Sequence, residues 1–432
     1  MSAGRVAFGL CALIVVAIAG FVVWAWRSKV PAVEPPAASA FEPAVVTRGA
    51  ELAAIGNCAL CHTASGEKPF AGGLAIPTPF GAIYSTNITP DPDTGIGSWS
   101  QAAFRRAMHA GIDRRGRYLY PAFPYDHFTK VSDPDLDAVY AFLMTRDPVR
   151  AGTPANRLPF PLDIRLIVAG WQLLFFKDAR FAADAAKGEV WNRGAYLVEG
   201  LGHCGSCHTP RNRLGAEMSQ QALAGGEAEG WDAPALNAAS PAPVPWTENA
   251  LFDYLRHGWD PTHGVVAGPM RPVVRDLARV PEEDVRAMAV YLASLAGSSD
   301  EERHKRAEAA LAFAKGQEWG PASVGSSGAG DGEQIFAGAC ADCHRLGGTA
   351  PVALALSTAI NLPEPRNLIH VILDGIMPQE GEKGPMMPGF GDVLTDTQVV
   401  ALVAYVRAHF TARPAWPDVA RYVRQMRGGE QK

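Results

Sequence analysis

One five-residue string occurs three times in this chain and constrains its fold more than any other feature. Each copy holds two cysteines separated by two residues and followed immediately by a histidine. The copies are CALCH at 58–62, CGSCH at 204–208 and CADCH at 340–344. They use six of the seven cysteines, so no cysteine pair is left for a structural disulfide outside them. Their wide spacing divides the chain into units that are each the length of a small domain.

This spacing favours covalent attachment of haem. Two thiols one helical turn apart can add to the vinyl groups of one porphyrin, and the adjacent histidine can ligate its iron. A zinc site would need a second pair of Cys or His ligands near each motif, and the sequence offers none. We therefore expect three haem c groups. Their attachment cysteines and proximal histidines are Cys58, Cys61 and His62; Cys204, Cys207 and His208; and Cys340, Cys343 and His344.

Helical patterns recur with the motifs and predict a mostly α fold of three tandem class I cytochrome c domains. In the first two units a short helix follows the motif, and all three units end in an amphipathic helix. Cap residues are expected at the ends of these helices, namely Ser100, Gly111, Ser132, Thr247, Gly258, Pro281 and Thr395. The predicted domains, called here the first, second and third repeats, are residues 46–150, 188–298 and 333–412.

An uncharged run at 6–26 precedes these repeats. As a helix it would extend about 31 Å, which is enough to cross a bilayer core. We expect residues 1–28 to form an N-terminal transmembrane anchor; a cleaved signal peptide is the alternative. Cys11 lies in this run and is expected to be a packing or lipid-facing residue. Residues 29–45 are rich in Pro and Ala and predict an extended tether.

The segments between and after the repeats have their own patterns. Residues 151–187 form a connecting region with an apolar stretch at 164–176, too short to span a membrane. It predicts a helix packed between domains, or alternatively an interfacial helix or docking face. Residues 299–332 predict a charged helix followed by a flexible Gly/Ser linker from 320. The basic tail, 413–432, is expected to be exposed.

Composition excludes several classes of function. Hydrophobic residues make up 48% of the chain and charged residues 19%, which excludes disorder over most of its length. The net charge of −5 does not favour nucleic-acid binding. The chain has no dinucleotide-binding fingerprint, nucleophile elbow or HExxH zinc motif. No catalytic residue for substrate oxidation is therefore expected.

The sixth iron ligand is expected to differ between repeats. In the second, Met270 of GPMRPVV is the candidate; in the third, Met387 of GPMMPGF is preferred over Met386 and Met377. In the first repeat the corresponding position is Phe123, which cannot ligate iron. The alternatives there are Met108 on the preceding helix (preferred), His127 in the same loop, or an open iron. His109 and His203 are expected to be polar surface or loop residues.

Several longer strings extend the pattern beyond the haem motifs. The chain resembles the three-haem cytochrome c subunits of bacterial membrane-bound dehydrogenases, a family that includes alcohol, gluconate and aldehyde dehydrogenase complexes. Besides the CxxCH motifs, the resemblance is carried by PFAGG at 69–73, TPFGAIYSTNITPDPDTGIG at 78–97, AGWQLLFF at 169–176 and MPGFGDVLTD at 387–396. The first-repeat loop YPAFPYDHF, where much of the family has YPAMPY, is similar to cytochrome subunits that accompany molybdenum hydroxylases.

The resemblance implies that a periplasmic dehydrogenase subunit passes electrons to this chain, which delivers them to ubiquinone or a terminal oxidase. It favours a molybdenum hydroxylase of aldehydes or N-heterocycles, such as nicotinate. The alternatives are a quinoprotein alcohol or flavoprotein gluconate dehydrogenase, a haem enzyme with an open first haem, or a donor to a terminal oxidase. Haem c and the anchor imply the periplasmic face of a bacterial inner membrane.

Overall fold

A computed structural model describes residues 3–317, 331–344, 349–378 and 384–428. The chain divides into two compact units, Met1–Ala182 and Ala183–Lys432. The first unit contains one CxxCH motif and the second contains the other two. Most of the linker that we expected from residue 320, up to residue 330, lies outside the described residues.

The first unit is built from helices and one short hairpin. Strands β1 and β2 are antiparallel, with Ala75 opposite Tyr84 and Thr78 opposite Gly81. The elements in chain order are α1 (Ala3–Ala25), α2 (Pro43–Ile55), α3 (Cys58–Cys61), β1 (Ala75–Thr78), β2 (Gly81–Tyr84), α4 (Gln101–Ala110), α5 (Tyr125–Phe128), α6 (Asp133–Met144) and α7 (Ile167–Phe175).

The second unit contains the other two motifs, with two short hairpins around the second motif and only helices among the described elements around the third. Around the second motif the elements are α8 (Glu189–Glu199), α9 (Gly205–His208), β3 (Gly226–Ala228), β4 (Trp231–Ala233), α10 (Glu248–His257), β5 (Trp259–Asp260), β6 (Gly264–Val265), α11 (Met270–Leu277) and α12 (Glu282–Ser294). Around the third they are α13 (Asp300–Gly316), α14 (Asp331–Ala339), α15 (Ala341–His344), α16 (Thr358–Asn361), α17 (Arg366–Asp374), α18 (Asp396–Phe410) and α19 (Val419–Arg427). The predicted mostly α fold class is confirmed.

The helix ends follow the predicted cap chemistry. The side chains of Ser100 and Thr247 accept hydrogen bonds from the backbone N–H groups three residues later. Gly111 and Gly258 close the same helices in the left-handed conformation that favours glycine. Thr395 forms the expected capping box with Gln398 at the start of α18.

In all three repeats the helix before the motif crosses the last helix of the repeat at a glycine. The pairs are α2 with α6, α8 with α12, and α14 with α18. A Cβ atom at Gly49, Gly194 or Gly332 would overlap a backbone carbonyl oxygen of the partner helix. These glycines therefore allow the two helices to touch through their backbones. In each repeat the short CxxCH helix comes next in the chain after the first helix of the crossing pair.

The basic tail was expected to be exposed, and this expectation is wrong. Helix α19 packs into the core of the third repeat, where Trp416, Tyr422 and Val423 are buried beside Phe336 and Leu402. The helix packs there because it is amphipathic. Apolar residues at 419, 422 and 423 lie on one face, and its arginines lie outside that face.

At the N-terminus, α1 contains the uncharged run. Within the described residues it is the one helix long and apolar enough to cross a membrane, over Ala7–Ala25. Its side chains are exposed through most of this length, whereas Ala25 at its end is buried against the first unit.

Candidate haem sites

The first CxxCH motif forms a single helical turn. Asn57 precedes it in a left-handed conformation, and α3 then presents the two thiols and His62 from one short helix. The Nδ1 atom of His62 lies 2.6 Å from the carbonyl oxygen of Thr86. Because a carbonyl can only accept, Nδ1 carries the hydrogen and Nε2 keeps the lone pair that can bind iron. Burial lowers the pKa of His62, which favours the neutral, ligating form.

A dense hydrogen-bond network holds the loop that carries the Thr86 carbonyl. The amide nitrogen of the buried Asn87 donates to the carbonyl of Val149 at 2.7 Å and to the hydroxyl of Thr94 at 3.1 Å. The amide oxygen of Asn87 accepts from the backbone and hydroxyl of Thr89. The long TNITPDPDTGIG string is therefore a rigid support for the proximal histidine.

The second motif has the same arrangement with a different partner. Helix α9 begins after Cys204, and Nδ1 of His208 donates to the carbonyl of Pro234 at 2.7 Å. Burial lowers the pKa of His208 and raises the pKa of Cys204 to about 12. It also raises the pKa of Cys207. The site thus presents two uncharged thiols and a neutral imidazole.

The third motif differs from the other two in the hydrogen bonding of its histidine. Nδ1 of His344 is buried and has no hydrogen-bond partner among the described residues, which omit the four residues that follow it. Burial lowers the pKa of His344 and raises the pKa of Cys340 to about 11. The chemical groups offered by α15 are nevertheless the same as in the other two repeats.

These groups fit haem c better than zinc. All seven cysteines lie in the described part of the chain, and none of them forms a disulfide. In that part, no Cys or His of the three motifs belongs to a cluster of three or more possible metal-binding side chains. Paired thiols beside an imidazole that keeps Nε2 free are the donor set for thioether attachment with axial ligation.

In the second repeat, Met270 is half-buried at the start of α11. The turn before it packs on Trp231, since a Cβ atom at Gly268 would overlap the indole ring. Trp231 belongs to β4, the strand that leads to the carbonyl of Pro234 beside His208. One strand therefore supports both the histidine and the loop that carries the methionine.

In the third repeat the loop backbone distinguishes between the methionines. Met387 is half-buried and exchanges two backbone hydrogen bonds with Ile376, at 2.7 and 2.8 Å. Met386 is 67% exposed and Met377 is 50% exposed. A Cβ atom at Gly375 would overlap the backbone of Met387, so this segment is tightly packed. Of the three, Met387 is the side chain that the fold holds in place.

In the first repeat, both candidates for the sixth ligand are buried. Met108 lies on α4 and His127 on α5. The ring of Phe123 packs edge-to-face on Phe128, with centroids 5.2 Å apart, which fills the loop with aromatic side chains. His109 was expected at the surface or in a loop, and this is wrong: it is buried on α4, with Nε2 2.9 Å from the Val131 carbonyl.

Sequence reasoning did not identify the carbonyl partners of His62 and His208. Thr86 lies within the long string that carries the family resemblance. The sequence therefore indicated that this segment matters, but it did not indicate that the Thr86 carbonyl contacts His62. Pro234 follows the second hairpin and had no signal, because a backbone carbonyl leaves no mark in the side-chain pattern.

Comparison with known proteins agrees with this chemistry. Residues 46–147 match the family model described as cytochrome c, and residues 328–406 match that of cytochrome c oxidase, cbb3-type, subunit III. The fold and the sites thus define a c-type cytochrome.

Whole-chain relatives narrow this class. The chain is 35% identical to the fructose dehydrogenase cytochrome subunit of Gluconobacter japonicus, with 92% of this chain and 85% of that protein covered. It is 37% identical to the gluconate 2-dehydrogenase cytochrome c subunit of Pantoea cypripedii, with 84% and 85% covered. The chain belongs to the family of cytochrome c subunits of dehydrogenases, which confirms the predicted family.

A third relative is much longer. The chain is 47% identical over 410 residues to a nicotinate dehydrogenase subunit of Pseudomonas putida. The alignment covers 93% of this chain and 33% of that protein, so the chain spans about a third of the relative's length.

Proposed function

We propose that this electron-transfer subunit carries three haem c groups and conducts electrons from a catalytic dehydrogenase partner towards ubiquinone or the respiratory chain. The observation that carries the proposal is the threefold occurrence of a thiol pair and an imidazole on one short helix. Cys58 and Cys61, and the equivalent pairs of the other repeats, form the thioether bonds. His62, His208 and His344 are the proximal ligands.

Haem c, when bound, supplies a one-electron iron couple; the chain holds the groups in place and sets their potentials. Thr86 and Pro234 fix the orientation of two imidazoles and keep Nε2 available. Met270 and Met387 are the distal ligands of the second and third haems, where a thioether raises the potential. Met108 is the preferred distal ligand of the first haem, and His127 is its rival.

The proposed partner is a molybdenum hydroxylase that oxidises an N-heterocycle or an aldehyde. Support comes from the 47% identity to the nicotinate dehydrogenase subunit and from the YPAFPYDHF loop at 120–128. A quinoprotein alcohol or flavoprotein gluconate dehydrogenase is the alternative partner, since relatives with those names are 32–37% identical. With α1 as an anchor, this chain would stand on the periplasmic face of a bacterial inner membrane.

The haem count is tested by intact mass of the full chain matured in a host that attaches haem c. We expect three porphyrin adducts, and the loss of one adduct in each variant with both cysteines of one motif changed to Ala. Cys11→Ala is the matched control and should keep all three. A motif variant that still carries three adducts would refute the assignment for that motif.

The partner is tested by purifying the native complex from host membranes and identifying the proteins that co-purify with this chain. The haems should then be reduced by the substrate of that partner, with nicotinate, an aldehyde, an alcohol and gluconate compared side by side. Reduction by gluconate or alcohol alone would replace the molybdenum partner with the alternative. A high-spin first haem that turns over peroxide would instead favour the haem-enzyme interpretation.

A further inference from the structure

Helix α7 leaves a row of large apolar side chains uncovered in the first unit. Leu173 and Leu174 are 65% and 70% exposed, and Phe160, in the segment before the helix, is 82% exposed. The run 164–176 contains a single charged residue, Arg165, which donates to the carbonyl of Tyr118 at 2.9 Å. The exposed face is therefore free of charge, although solvent would normally favour polar residues there.

The opposite face of α7 packs against the end of α1. Val168 and Ala169 are buried in one cluster with Ala25, and Phe21 packs at its edge. The hydroxyl of Tyr118 donates to the carbonyl of Ala25 at 3.0 Å and fixes the exit of α1 from the cluster. The position of α7 is thus tied to the last turn of the apolar span.

This contact defines the depth of α7 relative to a bilayer crossed by α1. The span that is apolar enough to cross ends at Ala25, so its last turn would lie at the boundary between acyl chains and headgroups. Trp24 and Trp26 flank that point, where tryptophan is favoured, and the Arg27 guanidinium lies 5.6 Å from the Trp24 ring centroid. With nine residues, α7 extends only about 14 Å and cannot cross a membrane itself.

We propose that α7 is an interfacial helix. It lies along the periplasmic surface of the bilayer that α1 crosses, with Leu173, Leu174 and Phe175 at the boundary between the headgroups and the acyl chains. This proposal depends on the proposed membrane anchor. A lipid surface is favoured over a protein partner because the exposed face belongs to the helix that packs directly on the end of the membrane span.

The test measures the alkylation rate of a single thiol by a charged, membrane-impermeant maleimide. The full matured chain carries Cys11→Ser and is placed in nanodiscs of phosphatidylethanolamine and phosphatidylglycerol. Three variants are compared, Leu174→Cys on α7, Ile14→Cys within the span and Leu214→Cys in the second unit. Leu214 is 55% exposed, so it is the aqueous control. Since Leu174 is itself 70% exposed, its replacement leaves the core intact.

We expect the thiol at position 174 to react at least tenfold more slowly than the thiol at 214, and about as slowly as the thiol at 14. A slow reaction at 14 with a fast one at 174 would overturn the interfacial helix and leave the anchor in place. Fast reactions at both would overturn the anchor as well. If position 174 is protected only after the catalytic partner is added, the face is a protein-docking surface and the lipid proposal is wrong.

Discussion

The glycine crossing of the third repeat allows a sharp prediction. In Gly332→Ala, the new Cβ atom would overlap the carbonyl oxygen of Ala401 and lie 2.8 Å from the Cβ of Tyr405. The carbonyl belongs to the backbone of α18 and cannot rotate away as a side chain can. We therefore place the cost in stability at the top of the range for overpacking, about 3 kcal/mol. Alanine has a higher helix propensity than glycine, which offsets up to about 1 kcal/mol of this cost. The net loss of stability is therefore about 2 kcal/mol.

The assay is amide hydrogen exchange of α18 in the matured chain, where this loss corresponds to roughly 30-fold faster exchange. Gly338→Ala is the matched control in the same helix, because a Cβ atom there meets nothing within 4 Å among the described residues. Gly338→Ala should stabilise the helix by about 0.5–1 kcal/mol and should therefore slow exchange slightly. Equal slowing in both variants would refute the close crossing.

Three further predictions concern two proposed iron ligands and one half-buried carboxyl. Met387→Ala should lower the potential of one haem by on the order of 100 mV in a redox titration, since axial ligands span about 0.8 V, whereas Met386→Ala should change none. Met108→Leu should convert one haem to high spin in the absorption spectrum; an unaltered spectrum would favour His127 or an open iron. Burial raises the pKa of Asp232 to about 6, so the folded chain holds a proton that the unfolded chain releases near pH 4. Stability of the second unit should therefore fall as pH rises from 4 to 6, and Asp232→Asn should add about 2 kcal/mol at pH 8 and little at pH 4 in denaturant titrations.

Local chemistry explains what could be predicted from the sequence. Ser100, Thr247 and Thr395 begin helices because their side chains accept from nearby backbone N–H groups, and this requires only adjacent residues. Gly111 and Gly258 end helices for an equally local reason. The CxxCH motifs likewise bring two thiols and an imidazole together within one turn. Each of these features depends on five residues or fewer.

The features that could not be predicted depend on distant backbone. The carbonyls of Thr86 and Pro234 lie 24 and 26 residues after the histidines they orient. Nothing in a side-chain pattern reports which carbonyl will be reached. Gly49 and Gly194 each stand in an Arg-Gly-Ala sequence ahead of their motif, but their role in the crossing requires the position of the last helix. The buried tail at Trp416 was missed because its positive charge outweighed its apolar spacing.

These differences separate the two sides of each candidate haem site. The proximal side combines a local motif and a glycine crossing that recur in all three repeats, whereas a carbonyl partner of the histidine is described only for His62 and His208. The proposed distal side depends on loops, and these differ between the repeats. Met270 lies at a helix start beside Trp231, Met387 lies on a segment paired with Ile376, and Phe123 stands at the corresponding position of the first repeat. Because a thioether ligand raises the potential of a haem, changing one of these loops would alter one potential and leave the glycine crossing unchanged. If each repeat carries a haem as proposed, this organisation would give each haem its own place in an electron-transfer sequence while the repeated helix crossing stays the same.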